Sequence, residues 1–103
     1  MFSNGLEARV GTIDSKWEFF HEWKRLNESE AGYIELPTML RGICKKENFL
    51  DLLENFILYD HSDGSTVKIL SRNHQYLGVN QAVEKYRNRE LENGKLGVFW
   101  HTQ

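Results

Sequence analysis

The chain has 103 residues, 40% of them hydrophobic and 13% aromatic, which is enough to build the core of one small domain. A charged fraction of 27% is ordinary for a soluble globular protein and gives no sign of disorder throughout, and a net charge of −2 excludes a global attraction to nucleic acid or anionic membrane. No apolar run reaches the length of a membrane span, and Met1 to Asn4 lacks the basic and apolar regions of a signal peptide.

In chain order, Asn4-Gly5 suits the left-handed backbone of a tight turn, and Ala8, Val10 and Thr12 alternate with Glu7, Arg9 and Gly11. Together they predict a hairpin over Phe2 to Ile13. Asp14 or Ser15 is placed to cap a short helix carrying Trp17, Phe19, Phe20 and Trp23. Such an apolar load predicts a docking surface. Asn27 to Gly32 is polar and reads as a loop. Pro37 fits the first turn of a second helix, which Gly42 interrupts.

Between Glu47 and Tyr59, Phe49, Leu50, Leu52, Leu53, Phe56 and Ile57 recur at helical steps, with Asp51, Glu54 and Asn55 opposite. This predicts the central core helix. Asp63-Gly64 marks a turn within His61 to Ser65, and Val67, Ile69 and Leu70 form a short strand. A further helix runs from about Asn73 to about Arg89, with Leu77, Ala82, Val83 and Tyr86 as its apolar face. After a turn at Asn93-Gly94, Leu96, Val98, Phe99 and Trp100 make an apolar strand of the kind buried in parallel sheets. The expected fold is α+β: a small, mostly helical domain with a short N-terminal hairpin and a C-terminal strand, excised from a larger multidomain protein.

Little in the chain points to chemistry on its own. Cys44 is the only cysteine, which excludes an internal disulfide, fits a reducing cytoplasm and reads as a small buried apolar residue. The four histidines, 21, 61, 74 and 101, match no zinc spacing, and His61 with Asp60 and Asp63 reads as an exposed acidic turn. Lys45 and Lys46, and the run Lys85, Arg87 and Arg89, are candidate DNA contacts but read more simply as solvated helix faces. Glu84-Lys85 and Lys46-Glu47 likewise do not make the acid, acid and lysine set of a magnesium nuclease. No catalytic and no metal-binding residues are assigned.

The stretch NHQYLGVNQ from Asn73, followed by AVEKYRNRE, and the closing GVFWHTQ resemble the start of the first motor domain in type I restriction enzyme R subunits. There a helix bearing an H-Q pair leads to a strand of the form G-V-x-W-H-T-Q and then to the phosphate-binding loop, G-S-G-K-S. FLDLLENFILYD, from Phe49, is similar to the helix upstream of that motor. SNGLEARVGTI with WEFFHEWK resembles the region after the family's nuclease motifs.

The resemblance implies a fragment, itself non-catalytic, of an ATP-dependent DNA translocase and endonuclease that cuts unmodified DNA with methylation and specificity subunits. Residues 1–35 would end the nuclease side, 36–70 would be a helical linker, and 71–103 would begin the first motor domain. It further implies that Gln75 reads adenine, because a carboxamide offers the donor and acceptor complementary to N7 and N6. His74 and Arg72 would assist, and His101, Thr102 and Gln103 would open the phosphate loop. ATP and magnesium are then expected in the intact parent and neither on the fragment. No membrane is expected, and Val98, Phe99 and Trp100 of the terminal strand would either pair with another segment of this chain or mediate self-association. The alternative reading is an independent interaction module anchored on Trp17, Phe20 and Trp23.

Overall fold

A computed structural model describes residues 1–27, 29 and 36–98. The N-terminal hairpin forms as expected. Strand β1 (Phe2–Ser3) pairs antiparallel with β2 (Ala8–Arg9), and Gly5 turns the chain at φ +87°. Asn4 Oδ1 closes the turn by accepting the Leu6 and Glu7 backbone amides. The period-two pattern also places its residues correctly, since Ala8, Val10 and Thr12 are all buried.

The aromatic segment is not a helix. Only a single 3-10 turn forms, at Trp17–Phe19, and no side chain caps it. Thr12 and Ser15 bond each other instead, at 2.7 Å. Phe20 has extended backbone, and His21 exchanges two backbone hydrogen bonds with Val10. Aromatic residues suit extended backbone, and bonding to the Val10 backbone decides the outcome. Extension also sends the aromatics to different sides: Trp23 is buried, while Trp17 and Phe19 are more than half exposed.

Helix α1 (Leu36–Ile43) carries Pro37 in its first turn and runs through Gly42 without interruption. Gly42 is needed there for space, because a Cβ would overlap the Trp23 indole. The buried positions of α1 are Met39, Gly42 and Ile43, one helical stripe. Cys44 lies one residue past the helix and off that stripe, so it is exposed rather than buried.

Helix α2 (Lys46–Asn55) is shorter than the periodicity predicts. It stops at Phe56, and Ile57–Asp60 becomes β3, paired antiparallel with β4 (Val67–Leu70) around a turn at Gly64, φ +73°. The apolar run Ile57 to Tyr59 thus satisfies its backbone across a hairpin instead of extending the helix. The buried stripe of α2 is correspondingly narrow, with Leu52 and then Phe56 just beyond the helix end. Phe49, Leu50 and Leu53 are about half exposed, contrary to the expected face. Asp51, expected on the solvent side, is half-buried and accepts hydrogen bonds from Asn80 and Asn55 at 3.0 and 2.8 Å.

Helix α3 (Asn73–Arg87) begins where expected, but its buried residues are Asn73, Tyr76 and Gly78, with Leu77 partly packed. Val83 and Tyr86 are exposed, as is Ala82. The turn at Asn93-Gly94 is present, both residues having positive φ. Residues 95–98 form no strand, and Val98 is almost wholly exposed; Phe99 to Gln103 lie outside the described residues.

One core joins these pieces. The N-terminal segment contributes Ala8, Val10 and Trp23; α1 contributes Met39 and Ile43; Leu52, Phe56 and Tyr76 complete it. The Tyr76 ring meets Phe56 edge-on at 4.8 Å and Trp23 at 5.4 Å, so α3 is seated on the core by its first turn. The result is a mixed α+β domain with, among the described residues, two small antiparallel sheets.

Candidate functional site: the first turn of helix α3

The expected site residues Arg72, His74 and Gln75 all fall on the first turn of α3. Arg72 is its N-cap, with extended backbone, and contributes no side-chain cap. A guanidinium has no acceptor to offer. Gln75 performs the capping instead: its Oε1 accepts the Arg72 backbone N–H at 2.9 Å. This is the reaching-back half of a capping box, and it satisfies an amide that the helix leaves without a partner.

The bond also orients Gln75. Its side chain is exposed, one lone pair of Oε1 is engaged, and Nε2 donates to no residue among those described. A second lone pair and the amide donor are therefore presented together at the surface. Such a pair can bond a group that offers one donor and one acceptor side by side. Arg72 and His74 are exposed beside it.

Behind the turn, Asn73 is buried and bonds the backbone of Arg25 twice, at 3.0 and 2.9 Å. His21 lies on the same side. Burial pushes its pKa down and outweighs the backbone hydrogen bonds at Phe19 and Ser71 that push it up, while the charges of Arg72 and His74 push it further down. Sequence patterning did not single out Asn73; its signal is an asparagine at a helix start whose partner is remote in the chain.

His101, Thr102 and Gln103 lie outside the described residues. Among the described residues no three His, Cys, Asp or Glu side chains gather as metal ligands. His61 instead bonds Thr66 at 3.0 Å, and Asp60 accepts the Ser62 amide at 2.9 Å. That bond lowers the Asp60 pKa. The cationic run is locally engaged too, with Lys85 paired to Glu92 at 3.1 Å and the Arg89 guanidinium over the Tyr86 ring at 4.4 Å.

The aromatic surface is smaller than expected. Trp17 stacks on Phe20 at 5.4 Å and meets Phe2 edge-on at 5.9 Å, with Arg9 above Trp17 at 5.6 Å. Trp23 is buried against Tyr76 and unavailable as an anchor. Among the described residues no helix is long and apolar enough to cross a membrane.

No protein-family model matches the chain, and no solved structure does. Two curated proteins match it. The type I restriction enzyme HindI endonuclease subunit of Haemophilus influenzae is 34% identical over 111 aligned positions, covering 100% of this chain and 10% of that protein. A candidate type I restriction enzyme MjaIXP endonuclease subunit of Methanocaldococcus jannaschii is 26% identical, covering 98% of this chain and 12% of its own length. The chain thus spans about a tenth of the length of these relatives. Along its whole length, the chain is similar to a segment of the endonuclease subunits of type I restriction enzymes.

Proposed function

We propose that this chain is a non-catalytic segment of a type I restriction endonuclease subunit, and that it supplies the base-reading side of the subunit's ATP site. The parent would be a cytoplasmic, ATP-dependent translocase that cuts unmodified DNA together with methylation and specificity subunits. Residues 1–35 would lie on the nuclease side, 36–70 would link, and 71–103 would open the first motor domain. The supporting observation is Gln75, exposed on the first turn of α3 with its carboxamide held by the Arg72 amide. It stands in a chain related over its full length to endonuclease subunits.

In this reading Gln75 Nε2 donates to N7 of the base and Oε1 accepts from N6. Arg72 and His74 would flank the base, and by resemblance His101, Thr102 and Gln103 would open the phosphate loop. When bound, ATP with magnesium would supply the energy for translocation, and the residues of this segment would only select and orient the base.

Two hydrogen bonds to a base in water contribute about 1–3 kcal/mol, less than the roughly 4 kcal/mol of a millimolar complex. This chain alone should therefore bind ATP no more tightly than millimolar, followed by amide shifts on titration. In a complete subunit, Gln75→Ala should weaken ATP binding about fivefold or more and GTP binding much less, because guanine carries an acceptor where adenine carries a donor. Equal losses for both nucleotides would remove Gln75 from the base site.

A further inference from the structure

A buried carboxamide is costly unless both of its polar ends are bonded. Asn73, the first residue of α3 and 7% exposed, meets that requirement on one distant residue. Its Oδ1 accepts the Arg25 N–H at 3.0 Å, and its Nδ2 donates to the Arg25 carbonyl at 2.9 Å. The side chain acts as one rung of a β-ladder, and that needs a donor and an acceptor in one plane. Aspartate offers two acceptors, and alanine offers neither group.

The first turn of α3 is thus held from two directions. Gln75 bonds it to its own N-cap, and Asn73 bonds it to the extended segment after Trp23. An unheld first turn frays, because its leading amides have no partners within the helix. Fraying would free the Gln75 side chain to rotate. A rotating carboxamide no longer presents its donor and acceptor in fixed places, so the paired hydrogen bonds that favour adenine weaken while guanine, which offers two acceptors, has little to lose.

Resting on the reading of Gln75 as the base contact, we propose that Asn73 is a positioning residue for base selection: its two-point bond to the Arg25 backbone fixes the first turn of α3, so that Gln75 prefers adenine.

The test uses a complete endonuclease subunit carrying this segment. Dissociation constants for ATP and for GTP are measured by calorimetry, beside hydrogen exchange at the Arg25 amide. The variants are Gln75→Ala, Asn73→Ala and the isosteric Asn73→Asp, which keeps the shape but replaces the donor with a second, charged acceptor facing the Arg25 carbonyl. Both Asn73 variants should weaken ATP about fivefold to tenfold, change GTP less than twofold, and speed exchange at Arg25. If Asn73→Ala does not fold, Asn73→Asp carries the test alone. A purely structural role would weaken both nucleotides equally, and that outcome overturns the inference. So does an unchanged ATP-to-GTP ratio in Asn73→Asp alongside faster Arg25 exchange. If Gln75→Ala leaves the ratio unchanged, the base reading itself is wrong and the role of Asn73 goes with it. If Gln75→Ala alters the ratio while Asn73→Asp does not, only the positioning role is lost.

Discussion

At the scale of single residues, the packing of Gly42 against Trp23 is the most constrained contact. The indole lies where a Cβ on Gly42 would be, and Trp23 is 2% exposed. Alanine is the better helix former by about 1 kcal/mol, so propensity alone favours Gly42→Ala. Overpacking opposes it and should win, giving a net loss of about 1–3 kcal/mol in urea unfolding. A gain in stability would mean that the indole moves aside freely. His21 gives a second test. Its folded pKa lies below the ordinary 6.5, chiefly through burial, so the unfolded chain binds the proton more readily. Its contribution is complete above about pH 6.5 and is lost as the pH falls toward the folded value. Stability should therefore drop on acidification below pH 6.5, and His21→Gln should flatten that part of the profile. A profile with the same slope in both proteins would place the titration elsewhere.

At the scale of elements, Leu52 and Leu53 separate the observed helix face from the one periodicity suggests. Leu52 is 3% exposed and Leu53 49%. Leu52→Ala should cost about 2–5 kcal/mol, and Leu53→Ala about 0.5 kcal/mol or less, measured by chemical unfolding. The reverse order would mean that α2 is rotated. Local signals were legible: the Asn4-Gly5 turn, the inward set Ala8, Val10 and Thr12, the Val67–Leu70 strand, and the start of α3 at Asn73 all appear where the pattern puts them. Features that depend on remote partners were not. Ile57 to Tyr59 fits a helical period equally well, and only pairing with β4 makes it a strand. The aromatic segment is extended because Val10 bonds His21. Asp51 looks like a solvent-facing acid until Asn80 of α3 is placed beside it. The same holds at the candidate site. Gln75 stands out by resemblance and its capping bond to Arg72 is local, three residues back, whereas the Asn73 bond to Arg25 depends on a remote partner.

At the scale of the whole molecule, much apolar surface is left open. Leu58 and Ile69 face each other across β3 and β4, 65% and 46% exposed, on a two-stranded sheet. Unpaired edges flanked by apolar side chains favour association. This chain should self-associate at micromolar concentration in sedimentation. Leu58→Lys with Ile69→Thr should shift it toward monomer, as should removal of Leu96 to Gln103. Monomers throughout would show that these surfaces stay apart in water. The bond between Arg25 and Asn73 has its own consequence at this scale, because 48 positions separate the two residues. Their meeting closes a loop that contains α1, α2 and both strands of the second hairpin, and closing so long a loop costs chain entropy until the intervening pieces are packed. The N-terminal segment is therefore expected to lock last. Trp23, two residues from the closure and buried by it, makes that final event visible: in refolding, its fluorescence change should lag behind the helix signal.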